Sequence, residues 1–419
     1  MLALFIDSEP FNWVRIALLA LFVFGSIARV TKLTKMISAA AALAMLLVGA
    51  VKGDWSVFIE ALNFALIFTI FFPAVLLIRE TMARTPETAQ AIAAFDDLGP
   101  GQRVAGLAVG CHLLSMVLVL GGLIASATFV QAQSDRVLKR ELALVTMRGY
   151  ALIVHWSPFT IGMGYALAFR PDVALIAAMG LGLAITLIGM TLAIAWARGW
   201  RGVSAIPIAL NSFRAIAGPI AVSVTLIVLL VSFTPLGTIQ AVAVAMPVLC
   251  WLRLQRLGGA VPYKAVSAAV KKFPDIKEEL ILFLAAAAIG FSIQAAGLAE
   301  ALVGWLHLEI LGPYAMIALV IVLGPTLAVL GLHPIVAASI VTAFLTPLDG
   351  ALPDIVEVHL ILFVWSCGAF LSFGSLSLSA AARLFDFSLP DLVFSSNLIY
   401  VACLGALIFA ALSAITALT

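Results

Sequence analysis

The chain has 419 residues, 64% hydrophobic and 11% charged, and its 23 basic and 21 acidic side chains leave a net charge of +2. A soluble domain carries about 25% charged residues, so a soluble fold is excluded, and the near balance of charge gives no footprint for a nucleic acid. Several apolar runs reach the roughly 20 residues that cross a hydrocarbon core, and a run such as 55–78 does not alternate as barrel strands do. The expected class is an all-α polytopic membrane protein of the cell's inner (cytoplasmic) membrane.

In chain order, Asp7 and Glu9 precede the first apolar run. A signal peptide begins with a basic region, so Asn12–Ala28 is expected to be a retained helix. Spanning segments are expected near 12–29, 36–51, 55–78, 103–130, 150–169, 172–197, 203–232, 236–253, 279–303, 312–331, 333–348, 355–382 and 392–417. Some of these are half-helices or re-entrant pairs, which brings the count to roughly ten to thirteen. Cys111, Cys250, Cys367 and Cys403 lie in apolar runs without metal-ligand spacing, and read as free, packed thiols.

Two polar connectors organise the chain. The first, Arg79 to Arg103, contains Pro86 and, at helical spacing, apolar residues up to Phe95. The second, Arg253 to Glu279, contains Pro262 and the same pattern up to Phe273. Proline suits a first helical turn, so both predict amphipathic helices along the interface with lipid. They mark corresponding points in two uneven halves: 1–54 as N-terminal helices, 55–202 as a first repeat and 203–417 as a second. The interval from Gly297 to Trp365 is twice that from Gly122 to Trp156, so the second half carries an extra pass. The second connector has six basic and three acidic residues and favours the cytoplasm. The loop Arg29–Lys35 does too, yet thirteen segments cannot put both there. Equivalent connectors on opposite sides would make the repeats inverted.

Two segments carry the pattern of broken membrane helices, His155–Tyr165 and Trp365–Ser379. Each packs Gly, Pro and hydroxyl residues into an otherwise spanning run, a pairing that points to a transporter's binding site. Such breaks survive only under cover of protein or a watery cavity, and the N–H groups of a half-helix N-terminus suit an anion. Ser157, Pro158 and Thr160 are the candidates at the first break; Ser372, Gly374 and Ser375 are those at the second. The competing reading is that these hydroxyls bond their own preceding turns and let helices pack. Leu332-His333-Pro334 interrupts a third run; His333 is a candidate for solute binding and proton coupling, or a structural cap. Its looser counterpart is Ser126. Glu60 and Asn63 share a face of the third segment, where Glu60 is a candidate for ion coupling. Asp349, Asp354 and Glu357 read as a solvated turn. No catalytic or phosphate-cradling motif occurs, so neither an enzyme nor a cofactor or metal is expected.

The run Glu279–Leu302, with its Gly297-Leu-Ala-Glu300 turn, resembles the ion-transporter superfamily of divalent-anion/sodium symporters, arsenite permeases and sodium/proton antiporters. The elements Pro313–Leu330, Leu332–Pro334 and Phe370–Ser379 follow in that superfamily's order, and the likeness covers about 55–417. The Ser-Asn-Thr tips and Gly-Thr-Pro-Pro-Asn-like breaks of the symporters are replaced here by Leu332-His-Pro334, Ser157–Thr160 and Ser372–Ser375. The resemblance implies two inverted repeats with broken helices, a scaffold holding a mobile domain, elevator-like motion and a homodimer. The resulting expectation is a secondary transporter of a small solute, an organic anion rather than a cation, coupled to sodium or protons and embedded in membrane lipid. The alternatives are a cation/proton antiporter and, from another class, an integral-membrane enzyme or complex subunit.

Overall fold

A computed structural model describes residues 8–99 and 101–419, and among them there are helices and no strands. Helices α1 (Glu9–Ser26), α2 (Lys32–Lys52) and α3 (Ser56–Met82) lead to a short α4 (Pro86–Ala93). A hairpin of α5 (Arg103–Leu118) and α6 (Gly121–Gln131) is followed by α7 (Arg136–Ala151), α8 (Ile161–Phe169) and α9 (Leu175–Val203). Next come α10 (Ile206–Ser212), α11 (Arg214–Phe233), α12 (Thr238–Leu257), α13 (Val261–Lys272), α14 (Lys277–Ala295) and α15 (Leu298–Trp305). The chain closes with α16 (Pro313–Val329), α17 (Pro334–Leu345), α18 (Asp354–Leu371), α19 (Leu376–Phe385), α20 (Leu389–Val393) and α21 (Ser396–Leu418).

Eight helices among the described residues are long and apolar enough to cross a membrane, or nine if the bent α14–α15 unit counts as a span. This is a multi-pass membrane protein. The expected ten to thirteen segments included shorter pieces, and α5, α16 and α17 are three of those. The run expected at 103–130 is broken by a turn at Val119, where the backbone takes φ 53°. Phe24, Leu47, Val222 and Phe233 of the outer helices are exposed, as lipid contact requires, whereas the α18–α19 span is the most buried of the eight.

Both connector prolines begin helices, at α4 and α13, as expected. Their placement departs from the expectation for inverted connectors, because both lie at one face. Arg253, near the end of α12, pairs with Glu87 of α4 at 2.5 Å, and Lys272 of α13 pairs with Glu80 at the end of α3. The loop before α2 joins the same face, its Thr31 hydroxyl donating to Glu278 Oε1 at 2.5 Å. The two basic loops that competed for one side therefore share it. The opposite face holds the end of α2, with Lys52, and the cluster of Arg170 with Asp349 and Asp354.

The two broken helices, α7–α8 and α18–α19, lie antiparallel. Near the start of α7, Lys139 reaches Asp386 just past α19 at 3.4 Å, and Arg140 donates to the Asp391 carbonyl at 2.7 Å. At the other end Arg170, just past α8, meets Glu357 at 2.6 Å, Asp349 at 2.8 Å and Asp354 at 3.4 Å. The three acids are thus an ion cluster and not merely a solvated turn, and Glu357 is 1% exposed. Midway, Ser366 of α18 donates to the Ala151 carbonyl at 3.2 Å. Helix α5 packs on α7 and α9, and α16 packs on α18 and α21 in the same relation. The open end of the α5–α6 hairpin lies at the basic face, where Gln131 bonds Leu384, and that of α16–α17 lies at the other, where Gln294 bonds Thr346.

Backbones touch where glycine permits. A Cβ at Gly149 of α7 would collide with the Ala108 carbonyl of α5. Gly149→Ala is expected to cost about 1–3 kcal/mol through forced separation of the two helices, read as a lower melting temperature in detergent. The Arg253 hydrogen bond holds the Glu87 carboxyl below its usual pKa of 4.5. A depressed carboxyl stabilises the fold above its unfolded pKa, and the contribution fades as pH falls through the folded value. Both partners are partly exposed, so Glu87→Gln is expected to cost only about 0.2–1 kcal/mol at pH 7. It should also remove that share of the acid sensitivity below pH 4.5, checked by melting curves across pH.

Candidate functional site

At the first break α7 passes through a tight turn, Leu152–His155, before α8 begins. Thr160 caps α8: its hydroxyl accepts from Met163 N–H at 3.3 Å and donates to the Ser157 carbonyl at 3.0 Å. Ser157, fully buried beside Pro158, accepts from Phe159 N–H at 3.3 Å. One orphan donor of the half-helix is thereby satisfied, and the N–H groups of Ile161 and Gly162 keep no backbone partner.

The second break is built alike but closed. Ser375 caps α19, accepting from Leu378 N–H at 3.4 Å, and Ser377 donates to the Ala369 carbonyl at 2.6 Å. Ser372 donates to the Leu332 carbonyl at 2.5 Å and accepts from Gly374 N–H at 3.1 Å. A Cβ at Gly374 would lie 2.5 Å from the Gly331 carbonyl, so this break is pressed onto the α16–α17 tip. There His333 caps α17, its Nδ1 accepting from Ile335 N–H at 3.4 Å, while Pro334 packs on Gly368. Ser126 donates to the Gly122 carbonyl of its own helix at 2.7 Å. Glu60 is exposed one turn into α3, bonded by Ser56 at 3.0 Å, and Asn63 faces Asn12 of α1 at 3.0 Å. Of the residues singled out in the sequence as site candidates, Thr160 lines a cavity, and its hydroxyl, like the others, is engaged by backbone.

That cavity, of about 190 Å³, lies between α3 and α14 on one side and the first break, the α5 tip and α18 on the other. It is smaller than the roughly 300–1,000 Å³ of drug-sized pockets, which fits a small solute. Its polar wall consists of Arg79, Ser115, Tyr150, Thr160 and Glu279, with Trp365 and aliphatic and phenyl groups completing it. Among the described residues the half-buried Arg79 guanidinium has no hydrogen-bond or ion-pair partner, and Glu279 Oε2 is buried without a hydrogen-bond partner. Sequence reasoning met both residues only as the ends of connectors. Their shared cavity follows from α3 packing along α14, which no local pattern announces.

Three buried histidines were also missed. His112 Nδ1 donates to the Gly149 carbonyl at 2.8 Å and Nε2 accepts from Trp156 Nε1–H at 3.0 Å, which fixes the tautomer of a neutral ring. The rings of His112 and Trp156 stack, with 15° between their planes. His155 and His359 are fully buried. Single histidines inside apolar runs leave no periodic signal. Among the described residues no three His, Cys, Asp or Glu side chains are grouped to hold a metal ion. No protein-family model matches the chain, and no curated protein matches it in sequence.

Trp156→Phe would leave His112 Nε2 buried without a donor. The expected cost is about 1–3 kcal/mol, measured as a fall in thermal stability; an unchanged melt would show that the bond carries no net stability.

Proposed function

We propose that the protein is a secondary transporter, driven by a sodium or proton gradient, whose cargo is a small solute bearing a carboxylate. The observation that carries this reading is the unpaired Arg79 guanidinium in a cavity that also opens on the first break. A cation with five donors in a planar fork suits a carboxylate. The free N–H groups of Ile161 and Gly162 add a partial positive charge at the start of α8. Support for alternating access comes from the antiparallel broken helices and from hairpins that open toward opposite faces. The α5–α9 and α16–α21 units, packed in the same relations, are read as the inverted pair, with the connectors outside the symmetry. Helices α2, α3, α12 and α14 pack on one another as a scaffold, and the cavity lies along its seam with the hairpins and breaks. An elevator-like slide along that seam would carry the site across. The positive-inside rule assigns the basic face to the cytoplasm.

The test is counterflow in liposomes containing this protein alone, using labelled leucine, lactate and succinate as probes. Flux of at least one carboxylate is expected. Arg79→Ala should reduce it about tenfold or more, the worth of a charge-assisted hydrogen bond, while Glu60→Gln leaves it unchanged. Flux that survives Arg79→Ala, or no flux of any probe through folded protein, would overturn the assignment.

A further inference from the structure

Charged groups at the basic end of α3 and α14 find partners in a revealing order. Glu80 is taken by Arg84 at 2.5 Å and by Lys272. Glu278 is taken by Thr31 and Thr34 of α2. Glu87 is taken by Arg253. Their immediate neighbours, Arg79 and Glu279, are left over, and both line the same cavity. They stand within electrostatic range of each other but form no ion pair. The space between a lone cation and a lone carboxylate is where a molecule carrying the opposite of each would sit.

We propose that the solute is a zwitterion of the amino-acid type, its carboxylate on Arg79 and its ammonium on Glu279, with an apolar side chain against the remaining wall. This rests on the reading of the cavity as the solute site and names the class of solute. A simple anion would satisfy Arg79 but leave the Glu279 oxygen unpaired, at the cost of burying a lone polar group, and would repel it as well. A simple amine would do the reverse. A metal cation needs several oxygen ligands, and Glu279 is the one carboxylate among the residues that line the cavity. Other charged groups acting on Glu279 are Glu278 and Lys277 on its own helix and Arg79 of α3. His333 stands at the tip of the hairpin packed on α14, and the facing parts of α5, α7 and α18 offer Ser115, Tyr150 and Trp365. Phe71, Val75, Ile153 and Val154 form an apolar surface suited to an aliphatic side chain.

The experiment is calorimetric titration of the purified full chain with three ligands of one skeleton: leucine, 4-methylpentanoate and isoamylamine. The same trio built on alanine (alanine, propionate, ethylamine) tests size. In at least one trio the amino acid should bind about tenfold or more tighter than either single-charge relative, the loss expected for one charge-assisted contact. Glu279→Gln should bring the amino acid down to the level of its acid without weakening the acid. Arg79→Gln should bring it down to the level of the amine. A melting temperature close to wild type, with a single gel-filtration peak, certifies each variant's fold. If the acid binds as tightly as the amino acid and Glu279→Gln changes neither, the zwitterion is overturned and the anion site stands. If the amine binds best, or no member of either trio binds folded protein, both readings fall.

Discussion

A helix that stops inside a hydrocarbon layer must hide its free N–H and C=O groups, because lipid offers nothing to bond them. The whole arrangement follows from meeting that requirement twice. Two broken helices lie side by side in opposite directions, so each break is covered by the unbroken stretch of the other, as the Ser366 bond to the end of α7 shows. Ion clusters fasten both ends: Lys139 and Arg140 with the chain after α19, and Arg170 with the start of α18. Of these, the Arg170–Glu357 pair has a buried carboxylate, and such a pair contributes little net stability but is costly to break, which makes it better at fixing register than at adding strength.

Around that crossing the helices fall into two groups with different surfaces. Helices α2, α3, α12 and α14 meet one another, while the hairpins cling to the broken helices through glycine contacts and the His112–Trp156 pair. The groups also meet closely, α14 against α17 above all, and the cavity with its two leftover charges lies where α3 and α14 face the first break, the α5 tip and α18. A site in a core would need its charges satisfied internally. A site on a seam can leave them for a guest.

Much of the local architecture was legible in the sequence. Prolines 86 and 262 begin helices, and the breaks at Ser157 and Ser372 fall where Gly, Pro and hydroxyl residues interrupt apolar runs, although the caps that Thr160 and Ser375 form on the following helices were read there as ligand groups. These features depend on neighbours within a few residues. What was not legible depends on partners far along the chain: the common face of the connectors, the burial of Glu357, the three core histidines, and the meeting of Arg79 with Glu279 across α3 and α14. The hydroxyls drew notice as ligands because their chemistry permits it, but backbone carbonyls in the fold claim most of them. The turn at Val119 was hidden because a valine with positive φ is a conformation its residue type argues against.

The two hairpin tips differ in a mechanical sense. Ser372 and Gly374 weld the second tip to the second break, through one hydrogen bond and a contact too close for any side chain. The first tip keeps its bonds at home, Val119 to Ser115 and Ser126 to Gly122, and its Val119 borders the cavity directly. The α16–α17 tip is thus bonded directly to the second break, whereas α5 reaches the first break away from its tip, through His112 and Trp156. The two breaks are thus held by different kinds of contact, one clamped from outside by a neighbouring hairpin and the other propped by a turn that bonds only itself.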